Sequence, residues 1–309
     1  KITMKELRKK VLQMAGYLKE NGIKKGDRVC AYMPNCPETI ITMLATSALG
    51  AVFSSCSTDF GVSGVLDRFK QIEPKILVTV DGYLYNGKRI DRHNEVHEIV
   101  NGLETLENTV VLKYLDESKN VKYSFKFDYF ETVYFSVPIE KFASVNFNDP
   151  LYIVFSSGTT GAPKCIVHGV GGVLLQHAKE HKLHANIKEG DKVFYFSTCG
   201  WMMWNWLVGS LFSKATVILY EGSPFFEGPM KLWDLAENEK ITLFGTSAKY
   251  IDALRKSGYR PNLNKKLNHL KCLCSTGSPL SPEGFQFISQ HIKSDMQIGS
   301  ISGGTDILS

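Results

Sequence analysis

The stretch from Leu151 to His168, L-Y-I-V-F-S-S-G-T-T-G-A-P-K-C-I-V-H, constrains this chain most. Leu151–Phe155 is a run of five apolar or aromatic residues, the pattern of a buried strand. Nine residues follow with no large apolar side chain, Ser156 through Lys164, and Cys165–Val167 returns to strand-forming residues. A strand, a short polar loop and a second strand predict a hairpin-like unit.

The loop consists of Ser156, Ser157, Gly158, Thr159, Thr160, Gly161, Ala162, Pro163 and Lys164. Gly158 and Gly161 permit backbone angles and close approaches that a Cβ would block. Successive N–H groups can then face one concavity, a nest for an anion. Four hydroxyls add donors, and Lys164 adds a point charge suited to phosphate. A flexible linker is the competing interpretation, because Gly/Ser/Thr runs often serve that way. Linkers seldom sit between two apolar strands, however, and Pro163 stiffens this one, so phosphate binding is favoured. Two better-known phosphate loops fail on spacing. A Walker A loop needs four residues between its glycines and a lysine directly after the second. Here two residues separate Gly158 from Gly161, and Lys164 comes three after it. The dinucleotide pattern fails because Leu174 stands where its last glycine belongs, after Gly169 and Gly171.

With 43% hydrophobic residues, a chain of 309 can bury a large core and suggests about two structural units. The net charge of +5 is spread without a basic block, which does not imply nucleic acid. Seven cysteines include no C-x-x-C pair, which argues for reduced thiols and a cytosolic setting. No apolar run approaches the roughly 18 residues of a membrane span.

Along the first half, Thr3 and Glu6 form a capping-box pattern ahead of helical spacing at Leu7, Val11, Met14, Ala15 and Leu18. Strands are predicted at Val29–Met33, Ala51–Phe53, Ile76–Val80 and Thr109–Leu112, with helices from Pro37 and over Val65–Phe69. This alternation marks a parallel α/β sheet. Tyr83–Leu106 reads as less regular, with a helix near His97–Leu103. The aromatic-rich residues 121–137 fit either surface packing or an insertion. A subdomain boundary is placed near Asp149, giving units 1–148 and 149–309.

In the second half, Gly169–His184 reads as a helix whose glycine-rich first turn would offer N–H groups to an anion. His177, His181 and His184 share a face. Zinc is conceivable there, but the H-E-x-x-H pattern is absent and a packed or solvated face is favoured. Strands at Val193–Phe196, Ala215–Tyr220, Ile241–Phe244 and Leu270–Cys274 repeat the α/β alternation. Trp201–Trp206, W-M-M-W-N-W, suggests core packing. Ser275–Leu280, S-T-G-S-P-L, fits a strand-to-helix turn, with Ser281 as cap and Pro282 at the first helical position. The chain closes with S-I-S-G-G-T-D-I, Ser300 to Ile307.

The nine-residue loop resembles the phosphate-binding signature S-S-G-T-T-G-x-P-K of the adenylate-forming superfamily of acyl-CoA synthetases, luciferases and peptide-synthetase adenylation domains. The surrounding residues are most similar to the acetyl- and acetoacetyl-CoA synthetase branch, the acetoacetate-using members above all. The resemblance implies an incomplete large N-terminal domain of that fold, two α/β subdomains on mostly parallel sheets, without the family's C-terminal domain. It implies an AMP-forming acid–thiol ligase using ATP, Mg²⁺ and coenzyme A, and acetoacetate as the acid. Acetate, propionate or medium-chain acids, or a non-catalytic nucleotide binder, are the alternatives. It assigns Ser156 to Lys164 to the β- and γ-phosphates, and Gly277, Ser278 and Pro279 to adenine and ribose. Thr305 would meet the α-phosphate, making Lys164 and Thr305 the catalytic pair, and Asp306 would support Mg²⁺. Trp201 and Met202 would line the acyl pocket. Acetate-using members carry Trp where this chain has Gly303, so the missing indole would leave room for a longer acid. Without the ribose-binding Asp and C-terminal Lys of the family, residues 1–309 alone would be poorly active.

Overall fold

The computed structural model describes residues 1–115, 123–156 and 161–309. They form two compact units: residues 1–174 with 198–201, and residues 175–197 with 202–309.

The first unit begins with α1 (Met4–Glu20). Thr3 Oγ1 accepts from the Glu6 N–H at 3.2 Å, and Glu6 Oε2 accepts from the Thr3 N–H at 2.8 Å. Two otherwise unsatisfied donors are thus capped reciprocally. The strands and helices then alternate: β1 (Arg28–Met33), α2 (Pro37–Ala48), β2 (Val52–Ser57), α3 (Val62–Phe69) and β3 (Ile76–Val80). A hairpin follows, β4 (Gly82–Tyr85) and β5 (Lys88–Asp91), then α4 (His93–Gly102), β6 (Asn108–Leu112) and β7 (Phe127–Tyr129). The unit's last strands are β8 (Pro150–Ser156) and β9 (Lys164–Gly169). The sheet order is β7-β6-β3-β1-β2-β8-β9. All its pairings are parallel except the edge pair β8–β9. Tyr32, Val65, Phe69, Leu77, Val96, Ile99 and Ile153 fill one core cluster.

One sequence expectation changes here. Residues 82–91 form a regular hairpin rather than an irregular segment. Asn86 (φ 51°) and Gly87 (φ 74°) supply the two positive-φ positions of its turn. Within the described part of the aromatic-rich stretch, β7 extends the sheet edge and Tyr123 meets Phe125 at 4.8 Å between ring centroids, while Phe135 is exposed. The compact units of the structure meet inside the next helix, at Leu174/Leu175. Parallel pairing of β2 with β8, Phe53 opposite Tyr152, ties the central hairpin to the first sheet.

That next helix, α5 (Val170–Lys179), continues into a π-helical turn, Glu180–His184. The second unit holds β10 (Lys192–Tyr195), α6 (Met202–Gly209), β11 (Thr216–Ile218), α7 (Lys231–Asn238), β12 (Leu243–Ser247) and α8 (Ala248–Lys256). It ends with α9 (Pro261–Asn264), β13 (Cys272–Thr276), α10 (Pro282–His291) and β14 (Gln297–Ser300). Its sheet, β11-β10-β12-β13-β14, is parallel throughout. Trp233 is fully buried and stacks on Phe244, with centroids 4.6 Å apart and planes 13° apart. Gly245 lets Tyr195 lie flat on the strand beside it, because a Cβ there would come within 2.0 Å of the ring. Among the described residues, no helix is long and apolar enough to cross a membrane.

Candidate active site

In the first unit, the predicted phosphate loop closes the antiparallel β8–β9 hairpin. Ser156 lies opposite Lys164, and Phe155 opposite Cys165. Ser157, Gly158, Thr159 and Thr160 lie outside the described residues. Gly161 has φ 117°, a conformation glycine adopts without strain, and nothing lies within 4 Å of where its Cβ would be. Gln71 Nε2 donates to the Pro163 carbonyl at 2.9 Å, anchoring the loop's outgoing limb to the end of α3. The Arg68 guanidinium lies 4.8 Å from the Phe60 ring centroid and 5.8 Å from that of Phe155. Lys164 is exposed and has no carboxylate partner among the described residues. An exposed cation that follows a hydroxyl-rich sequence suits an anionic ligand.

The glycine-rich start of α5 does not extend that site. The Val170 N–H donates to the Asp149 carbonyl at 2.9 Å, and the Gly171 N–H to that of Phe147 at 2.8 Å. Gly171 serves packing, since a Cβ there would meet the Phe147 ring at 2.1 Å. Trp201 also belongs to the first unit, where it is 52% exposed and meets Phe60 edge-on at 6.4 Å.

In the second unit, β13 and β14 run parallel, Ser275 opposite Ser300, so both deliver the chain to one end of the sheet. Ligands of open parallel sheets gather at that end. Past β13, Gly277 has φ 85° with open space where a Cβ would stand, and Ser278 and Pro279 are exposed. Leu280 turns inward, and Ser281 Oγ caps α10 by accepting from the Gly284 N–H at 3.1 Å. The turn-and-cap prediction therefore holds, while the glycine-proline surface stays open. Past β14, the Ile301 N–H donates to the Ser275 carbonyl at 2.8 Å and holds the Gly303–Thr305 segment beside β13. Asp306 is exposed. Met202 and Met203 are buried within α6.

Gly303 is exposed, at the start of the segment that carries Thr305 and Asp306. A Cβ there would lie 2.1 Å from the Ser309 carbonyl oxygen. Beside this segment lies a cavity of about 350 Å³ lined by Gln176, Glu180, Trp206, Cys274, Ile301 and Ser309 among others. Glu180 went unnoticed in the sequence, where it is one acid in a polar helix end. Here it is buried, accepting from Gln176 Nε2 at 3.0 Å, Ser309 Oγ at 2.7 Å and Trp206 Nε1 at 3.1 Å.

The three histidines of the predicted shared face differ in their surroundings. Among the described residues, no group of three or more His, Cys, Asp or Glu could hold a metal ion. His184 is exposed, whereas His181 is fully buried, 4.3 Å from Trp206 edge to face. Burial, with a smaller contribution from His177, lowers the His181 pKa from 6.5 to about 3. The unfolded chain therefore binds this proton first as pH falls. The stabilisation is complete above about pH 6.5 and is lost progressively toward pH 3. Between about pH 7.5 and pH 5, His181 should account for roughly 2 kcal/mol of lost stability. His181→Leu should flatten the denaturation profile over that range; an unchanged slope would exclude His181 as its source.

The second unit thus carries two strand-end turns and an open glycine-proline surface, and the first an exposed lysine on its edge hairpin. A family model described as "AMP-binding enzyme" matches residues 1–306. The chain belongs to the AMP-binding enzyme family. It is 50% identical over its whole length to an acetoacetyl-coenzyme A synthetase of Rhizobium meliloti (strain 1021), covering 48% of that protein. It is 43% identical, again over its whole length, to the acetoacetyl-CoA synthetase of Xenopus tropicalis, covering 47% of it. A solved acetoacetyl-CoA synthetase from Streptomyces lividans superposes with a TM-score of 0.94 at 41% identity, over 100% of this chain and 48% of that one. The chain thus spans about half the length of the relatives it matches. Its α/β architecture of mostly parallel sheets is the N-terminal part of the adenylate-forming fold, as its loop suggested.

Proposed function

We propose that this AMP-binding family chain is the nucleotide-binding half of an acid–CoA ligase that converts acetoacetate to acetoacetyl-CoA. ATP would be consumed and AMP and pyrophosphate released. One observation supports the acid assignment above others: the full-length match, at 50% and 43% identity, to proteins named for that acid in a bacterium and a vertebrate.

The chemistry makes particular demands on the residues. A carboxylate must attack the α-phosphate of ATP, so two anions have to meet. Positioning and charge neutralisation then dominate the barrier. Lys164 and the loop from Ser156 to Gly161 would hold the β- and γ-phosphates. Thr305 would donate to the α-phosphate as charge grows there. Gly277, Ser278 and Pro279 leave an open face for adenine and ribose, because Gly277 adds no side chain above it. Asp306, a single exposed carboxylate, suits Mg²⁺ carried by nucleotide phosphates, since that ion is typically held by one or two carboxylates plus phosphate oxygens. Bound there, Mg²⁺ would supply charge neutralisation. Coenzyme A would enter as the second nucleophile. All seven cysteines are free thiols, which suits a cytosolic setting.

The test is CoA-dependent AMP release from an enzyme of full family length carrying this chain, over a panel of acetate, propionate, butyrate, acetoacetate and octanoate. Acetoacetate should give the highest kcat/KM. Preference for another acid would reassign the substrate, and no release with any acid would leave only nucleotide binding.

A further inference from the structure

We infer that the cavity beside Glu180 receives the non-carboxyl end of the acid, and that Gln176 and Lys179 there hold an acceptor oxygen on its third carbon. This deepens, and rests on, the ligase function proposed above.

Position comes first. Cys274 lies on β13, three residues before Gly277, and Ile301, Ser302 and Ile307 flank the Gly303–Thr305 segment. The cavity therefore adjoins the sheet end where the acid's carboxyl group would meet the α-phosphate. At about 350 Å³ it has ample room for an acid of a few carbons; pockets for far larger ligands begin near roughly 300 Å³.

Chemistry narrows the occupant. Glu180 is 6% exposed, and four donors converge on its carboxylate. Gln176, Ser309 and Trp206 bond it at 3.0, 2.7 and 3.1 Å, while the Lys179 ammonium stands 3.5 Å from Oε1. These side chains bring about seven donor hydrogens to a carboxylate with about four lone-pair sites. The surplus sits on Gln176 and Lys179, whose nitrogens carry several hydrogens each. Both line the cavity. A donor-rich wall recognises an acceptor, and a carbonyl oxygen is one. A methylene in its place would forgo both hydrogen bonds and leave the half-buried Gln176 donor without that partner, which is how a polar site rejects an apolar isostere.

The local backbone supports the placement. Glu180 opens the π-helical turn, and such turns recur at functional sites because the extra residue re-aims side chains. Glu180 is then a positioning residue: it orients Gln176 and Trp206 rather than touching the reacting atoms.

Butyrate, which has a methylene where acetoacetate has its keto carbon, makes the test. The readout is the ratio of kcat/KM for acetoacetate to that for butyrate, in an enzyme of full family length. Gln176→Met and Lys179→Met should each lower this ratio at least about fivefold, and the pair together at least about twentyfold. An unchanged ratio in both single variants, or equal losses on both acids, would overturn the assignment. Lys179 is 44% exposed at its side chain, so its variant should fold and decides alone if Gln176→Met does not. Failure of the underlying function would look different: the unsubstituted enzyme would then activate neither acid, and the inference would fall with it.

Discussion

Trp233→Ala should cost about 3–5 kcal/mol of stability, the usual range for truncating a buried aromatic ring to alanine. Trp233 has no exposed surface and lies at the centre of the second unit's core, with Phe194, Leu232, Phe244, Tyr250 and Ile251. Its ring stacks on Phe244 at 4.6 Å. Dispersion and an offset aromatic contact are lost together with the burial. The neighbours that would have to move to close the gap sit on α7, α8, β10 and β12, and β12 is paired on both sides, with β10 and β13. The site can collapse little, so the upper part of the range is expected. Chemical denaturation gives the number. Leu263→Ala, at a residue 78% exposed, should stay within about 0.5 kcal/mol and serves as control. A loss below about 1 kcal/mol at Trp233 would mean that the second unit is not built around this ring.

Lys164→Ala should lower kcat/KM for ATP by roughly ten- to a hundredfold, because a charged hydrogen bond is worth about 1.5–3 kcal/mol. Lys164 begins β9 opposite Ser156 and is already exposed, so its loss leaves no buried group unpaired. Stability should hardly change, which separates this variant from a folding defect. Lys164→Arg should recover only part of the activity, since a guanidinium offers a wide fork where the ammonium is a compact charge. Unchanged ATP kinetics in Lys164→Ala would remove the hairpin from the phosphate site.

The sequence carried most of the fold because its signals were local. The Thr3–Glu6 box, Pro37 at a helix start and Ser281–Pro282 each fix a helix end through nearby groups. The apolar runs at Val29 and Ile76 are short and β-rich, as strands buried on both faces must be. The hairpin at 82–91 was also legible through Asn86–Gly87, but polar surroundings masked it. What the sequence could not show depends on distant residues. Gly171 seemed to free an N–H for an anion, yet it lets Phe147 pack and gives that N–H to a carbonyl. Glu180 acquires its meaning from Trp206, which lies on a different helix 26 residues on. Burial and convergence are not local properties, so no motif announced them.

The most direct test of the ligase assignment omits coenzyme A. An enzyme of full family length carrying this chain is given ATP, Mg²⁺, labelled pyrophosphate and one acid at a time, and label entering ATP is counted. Adenylate formation is reversible and needs no thiol, so exchange reports the first half-reaction alone. Acetoacetate should drive exchange well above the acid-free rate, and Lys164→Ala should reduce it at least about tenfold. Nucleotide binding with no exchange for any acid would contradict the account, leaving a fold that holds ATP without activating a carboxylate.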